Sequence, residues 1–209
     1  MAVSGLMDGM DGSPPGLRRR VVLTAAASAS LLAACGKESA APAGKPAAGS
    51  APVSVDTIAA QAKGFSVGSS MAAQVVYVFF DAQCPHCAAL WDASRPLRSQ
   101  ARFVWIPVGL INEKSVTQGA AILGAADPVA AMDQHETSLR AQQGGISAMG
   151  VADAGKAAIK KNTEVMNSFG FGGVPTIVSK DPKTGTINTM EGSMPTAMLA
   201  KRLGLNAPG

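Results

Sequence analysis

Two of the chain's three cysteines stand in the run Cys84-Pro85-His86-Cys87. A pair with two residues between them suits thiol–disulfide exchange if the first sulfur opens a helix. With Cys84 as N-cap, Pro85 falls at the first helical position, where its fixed φ fits and its missing N–H is no loss. The Cys84 sulfur then faces free N–H groups and the positive end of the helix dipole, which favour thiolate over thiol. His86 can add positive charge beside it. Cys87, one turn on, is near enough to close a small disulfide ring. Two other readings compete. A zinc site needs four ligands, and the remaining candidates of that type are Cys35, His135 and His86 itself. A structural disulfide closing so short a loop would remove little unfolded-state entropy. Redox chemistry is the stronger reading.

The elements that must position the pair are legible around it. Val75 to Phe80 is continuously apolar and rich in β-branched and aromatic residues, as in a strand buried on both faces. Cys87, Leu90, Trp91 and Ser94 then recur at helical spacing, and Pro96 should stop or kink that helix. Arg102 to Val108 predicts a second strand, terminated around Pro107. Trp91 and Trp105 are read as core. Upstream, Val55 to Phe65 reads as a short helix ending at Gly64, and Gly68 to Ala73 leads into the first strand. Downstream, Val116 to Leu139 is helical and broken at Asp127-Pro128, where Asp127 can cap a new helix. Gly144-Gly145 marks a loop, and Ala154 to Phe169 a further helix with Ile159, Val165, Met166 and Phe169 on or near its apolar stripe. Gly172-Gly173-Val174-Pro175-Thr176 enters another strand, where the proline suits a strand edge or a cis turn. Asp181 to Gly185 is a turn, Thr186 to Met190 the returning strand, and Pro195 to Leu203 the last helix. His135 is expected on a helix surface. The ten methionines are scattered as core fillers rather than grouped as copper ligands.

The N-terminus reads as a targeting segment. Arg18-Arg19-Arg20 precedes an apolar stretch from Val21 to Ala34, which is too short to span a membrane and has the size of a signal-peptide h-region. Leu32-Ala33-Ala34-Cys35-Gly36 resembles the lipobox of bacterial lipoproteins, which implies that Cys35 is lipidated. The chain is therefore divided into a signal peptide (1–34), a lipid-anchored flexible tether (35–54) and a domain (55–209). The tether is nearly all Ala, Pro, Gly, Ser and Lys, with a root-mean-square reach of roughly 25 Å. The net charge of +4 forms no basic cluster, which argues against nucleic acid and against strong electrostatic membrane binding. With Cys35 assigned to lipid, the remaining pair in an oxidising compartment is catalytic rather than scaffolding.

This order of elements, with Cys84-Pro85-His86-Cys87 opening the first long helix and Val174-Pro175 opening the hairpin, resembles the thioredoxin fold. It is most similar to the catalytic domain of the DsbG and DsbC thiol:disulfide interchange proteins. The stretches Val76-Tyr77-Val78-Phe79, Arg95-Pro96, Val108-Gly109-Leu110-Ile111 and Ala120-Ala121-Ile122-Leu123 carry the likeness to DsbG, which covers roughly residues 55 to 205. The resemblance implies an α/β, thioredoxin-like fold with a central mixed sheet, flanking helices and a helical insertion. It also implies that Cys84 attacks and Cys87 resolves. Val174, cis-Pro175 and Thr176 would border the substrate chain, and Asp81 would tune the thiols, relay a proton or simply cap the turn. Pro85-His86 and Val174 are features of DsbA, the strong oxidant. They imply a disulfide more oxidising than that of thioredoxin. DsbC and DsbG also carry an N-terminal dimerisation domain, for which nothing between Cys35 and the first core strand has the bulk, so a monomer is expected.

The function expected is that of a periplasmic, lipid-anchored oxidoreductase acting without a cofactor. Its partners would be cysteine-containing exported proteins and a membrane redox partner. A soft-metal-handling module and a client-binding lipoprotein on the same fold are the alternatives.

Overall fold

The computed structural model describes residues 50–207. The signal peptide, Cys35 and most of the tether lie outside the described residues. The elements run α1 (Val55–Gln61), β1 (Phe65–Gly68), β2 (Val75–Asp81), α2 (Pro85–Ser94), a 3-10 turn (Arg95–Leu97), β3 (Arg102–Val108), α3 (Glu113–Leu123), α4 (Pro128–Arg140), α5 (Asp153–Ser168), β4 (Thr176–Lys180), β5 (Ile187–Glu191) and α6 (Thr196–Leu203). Five strands form one sheet in the order β1-β3-β2-β4-β5. β2 and β3 are parallel and the other pairings antiparallel. Three consecutive helices, α3 to α5, fill the connection from β3 to β4, which is the expected helical insertion.

The alternation along β2 divides two cores. Val76, Val78 and Phe80 face α2, α4 and α6, where they pack with Leu90, Trp91, Met132, Ile177 and Leu199. Phe79 faces the other side with Ile58 of α1, Ile106, Val178, and Val165 and Met166 of α5. Under α2 the aromatic rings meet edge to face, with Trp91 and Trp105 centroids 5.0 Å apart and Phe80 5.6 Å from Trp105. These are favoured aromatic geometries, and they seat α2 firmly on the sheet.

Two elements differ from the sequence reading. Phe65 does not end a helix but starts an edge strand, β1, in antiparallel register with β3 from Phe65↔Trp105 to Gly68↔Arg102. Four residues are too few for period-2 alternation to stand out beside a neighbouring helix. β3 also continues through Pro107. Its pairing with β1 stops at Trp105, so the missing proline N–H interrupts no ladder. The Pro107 carbonyl instead accepts from Asn162 Nδ2 of α5 at 2.8 Å. Asn162, fully buried, also donates to Lys63 O and accepts from Lys63 N, each at 2.8 Å. One side chain thus closes the gap where the edge strand has not yet begun.

Candidate active site

Every feature of the thiol site follows from the change of strand to helix at Asp81. Cys84 has extended backbone (φ −96°, ψ 112°) and N-caps α2 with Pro85 at the first helical position. Its N–H donates to Asp81 O at 3.0 Å, and its sulfur accepts from the Cys87 N–H at 3.3 Å. Both thiols are free. Cys84 is 4 % exposed and Cys87 fully buried. The Cys84 thiol, when protonated, points to Val174 O at 3.6 Å.

This asymmetry separates the two sulfurs chemically. The hydrogen bond from the Cys87 thiol is the largest influence lowering the Cys84 pKa. The backbone N–H groups of Cys87 and His86 and the charge of His86 add to it. Together they overcome burial and bring Cys84 down to about 6. Burial is the main cause that pushes the Cys87 thiol far up, assisted by the bond it gives to Cys84 and by the charge there. At neutral pH the one sulfur favours its thiolate and the other is held as a thiol.

The remaining expected residues are distributed as follows. His86 is exposed, with Ser193 Oγ 3.5 Å from its Nδ1. Val174-Pro175 is a cis peptide. Val174 is half-buried, while Pro175 and Thr176 are buried. The Pro175 carbonyl accepts from Gly192 N at 2.8 Å, and the Thr176 hydroxyl donates to Gly173 O at 2.6 Å. Of the three, Val174 meets the Cys84 thiol through its carbonyl. Asp81 is fully buried. One of its oxygens accepts from Gln83 N at 2.8 Å, and the other from Leu110 N at 2.7 Å and Ile111 N at 3.0 Å. Three donors make it the anchor that ties the cysteine turn to the loop after β3 and holds the exposed Leu110 and Ile111 beside the site.

His135 is a correction. It is fully buried, not on the surface. Its Nδ1 accepts from Ile146 N at 3.2 Å. The proton must then sit on Nε2, which donates to Ala82 O at 2.6 Å. Burial lowers its pKa, which keeps the ring neutral. A parallel amide chain joins Gln83 Nε2 to Gln118 Oε1, and Gln118 Nε2 to Gly144 O at 2.8 Å and Ile146 O at 3.0 Å. The two residues ahead of Cys84 are thus fixed to the 144–146 loop. The signal for His135 was its spacing from Met132, one turn back on the buried stripe of α4. Among the described residues, no group of three or more His, Cys, Asp and Glu side chains gathers as a metal site. None of the helices there is long and apolar enough to cross a membrane.

Comparison with known proteins bears on this geometry directly. The thioredoxin-like domain family matches residues 68–205. The chain is similar to the thiol:disulfide interchange protein DsbG of Pseudomonas aeruginosa, at 32% identity over 143 residues, which cover 66% of this chain and 54% of that protein. It therefore spans about half the length of that curated relative. Among solved structures it is similar to the catalytic domain of Proteus mirabilis ScsC, with a TM-score of 0.57, 18% identity, and coverage of 71% of this chain and 92% of that one. A periplasmic thioredoxin-like protein from Salmonella enterica serovar Typhimurium gives a TM-score of 0.58 at 16% identity, with coverage of 74% and 97%. At these identities the structural likeness is one of fold.

Proposed function

The chain belongs to the thioredoxin-like domain family, and on that premise we propose that it is a thiol:disulfide oxidoreductase in the manner of DsbG, working through Cys84 and Cys87. The observation that carries this reading is the division of labour between the sulfurs, a thiolate capping α2 and a buried thiol one turn on. In the reducing direction the Cys84 thiolate attacks a substrate disulfide. A Cys84–substrate bond forms and the displaced substrate sulfur leaves as a thiolate. That thiolate takes up the proton that Cys87 gives up. Cys87 then attacks Cys84 Sγ, the protein disulfide closes, and the second substrate sulfur leaves. Two electrons pass from the protein to the substrate. The same steps reversed oxidise a substrate dithiol.

In this reading Val174, whose carbonyl meets the Cys84 sulfur, borders the substrate chain together with Pro175 and Thr176, and the exposed Leu110 and Ile111 lie on the loop that Asp81 ties to the cysteine turn. Apolar surface beside a nucleophile suits an unfolded or loosely folded chain. The substrates proposed are cysteine-containing exported proteins, and a membrane redox partner restores the resting state. Lipidation of Cys35 would hold the domain at a membrane facing the periplasm. Fatty-acid labelling that marks the wild type and spares Cys35→Ser is the expected result there. The catalytic reading is tested with Cys87→Ser expressed in cells. Mixed disulfides at Cys84 should accumulate, because the attacking sulfur remains and the resolving one is gone. A variant free of adducts under non-reducing conditions would overturn it.

A further inference from the structure

Among the buried titratable groups of the described residues that the exchange steps do not use, Glu136 differs from Asp81 and His135 in making no hydrogen bond. Glu136 has no exposed surface, and neither of its carboxyl oxygens has a hydrogen-bond partner. Its surroundings on α4 are latched to the active-site elements at three points. Asp133, three residues before it, accepts from Trp91 Nε1 of α2 at 2.6 Å and pairs with Arg95. Arg140, four residues after it, pairs with Asp92 of α2 at 2.7 Å. The adjoining His135 holds Ala82. The carboxyl is therefore enclosed where α4 meets the helix that Cys84 opens.

An ionised carboxylate in such a place, with no donor to satisfy it, is costly, and the group responds by keeping its proton. Burial is the main cause that pushes Glu136 up to about 8. Arg140 opposes this, while Asp92 and Cys84 reinforce it. Those are the charges that act on it. Asp133 and Arg95 neutralise each other a turn away. β1, which also packs on α4, carries no titratable side chain, and Glu113 and Lys114 of α3 are exposed.

We propose that Glu136 is a redox-linked proton carrier, a positioning residue that holds its proton while Cys84 is a thiolate and yields it more readily once Cys84 is tied into a disulfide. The proposal rests on the exchange reading above. Conversion of the dithiol to the disulfide transfers two electrons to a protein or small-molecule disulfide, which becomes two thiolates that then take protons from solvent according to their own titration. With Cys84 already a thiolate, that conversion releases the one proton of Cys87. It also removes a negative charge whose field holds the proton on Glu136, so part of a second proton leaves the carboxyl for solvent. By reciprocity, an ionised Glu136 repels the Cys84 thiolate and drives the pair toward the disulfide. The protein becomes a stronger electron donor as pH rises, more steeply than the thiols alone would make it.

The experiment follows the carbonyl stretch of protonated carboxyl groups by difference infrared spectroscopy against pH, on the full chain in its dithiol and disulfide forms. Glu136→Gln, neutral and of the same shape, assigns the band by removing it. The expected band titrates near 8 in the dithiol form and at a lower pH in the disulfide form. In parallel, the exchange equilibrium with glutathione is measured from about pH 7 to 8, corrected for the titration of glutathione. In Glu136→Gln, one proton per electron pair gives a tenfold change per pH unit, and the wild type should change more steeply. A band with the same midpoint in both forms, or equal slopes in the two proteins, overturns the coupling and leaves the exchange reading standing. A protein that cannot be cycled between dithiol and disulfide overturns both.

Discussion

The residues at the N-terminus of α2 make opposite demands on two identical side chains. Cys84 receives hydrogen bonds that outweigh its burial, while burial, helped by the bond it gives, holds Cys87 as a thiol. The low value of Cys84, about 6, fixes a pH profile. Alkylation of the reduced protein at Cys84 should rise as pH climbs through about 6 and stay level above it. A rate still climbing through the usual thiol range of about 8.5 would refute the assignment. The sign for stability follows. A lowered folded value stabilises the dithiol form fully above the ordinary value of 9.0, and that contribution is lost as pH falls through about 6. Stabilising the reduced form also makes the disulfide a better oxidant. Equilibration with glutathione buffers should place the pair above the value of about −270 mV typical of thioredoxin. A more negative potential would contradict the argument from the thiolate.

At the level of elements, the site is only as rigid as the segments behind it. Asn162 satisfies Lys63 and Pro107 with three hydrogen bonds inside the protein, and so binds α5 to the sheet where β1 and β3 part. Asn162→Ala leaves those backbone groups unpaired and should cost roughly 2–5 kcal/mol, read as a lower urea midpoint with an unchanged slope. The loop that supports Ala82 and Gln83 depends on a glycine. Gly145 has φ +87°, and an added Cβ would lie 2.5 Å from His135 Cε1 and 2.8 Å from Gln118 Nε2. Gly145→Ala should therefore destabilise by about 1–3 kcal/mol. It should also disturb the Cys84 titration, since both displaced side chains hold the cysteine turn. A variant with wild-type stability and titration would show that this loop supports nothing.

On the scale of the whole molecule, both faces of the sheet are covered by the chain's own helices. α2, α4 and α6 lie over one core, and α1 and α5 over the other. Such a domain needs no second copy to complete its core. Ser54 caps α1 through Thr57 N, and Ala51 N reaches Ser168 O at 2.9 Å, so residues just ahead of Val55 also make contacts with the domain. A fragment that starts at Ala51, so as to keep these contacts, should be monomeric by light scattering and exchange dithiols readily, while isomerising scrambled disulfides poorly. A stable dimer with strong isomerase activity would defeat this.

The sequence by itself determined what is local. The change from the β-branched run Val75–Phe80 to helical spacing placed the strand, the helix and the Cys84 cap, because capping and periodicity act over a few residues. The break at Asp127-Pro128 and the hairpin around Asp181 were legible for the same reason. Fold class followed from the resemblance that the order of elements carries, and the spacing of the paired cysteines at a helix start suited thiol–disulfide exchange. The tertiary structure decided what depends on residues distant in sequence. β1 exists because β3 offers it an edge, and its four residues carry too weak a pattern alone. Asp81 became an anchor because the loop at Leu110 and Ile111 brought it donors. His135 and Glu136, polar residues on a helix, lie inside because α4 packs against the active-site elements through Asp133 and Arg140. Burial is a property of the assembled fold, and with it come the lost solvation and the unmatched charge that shift those two groups.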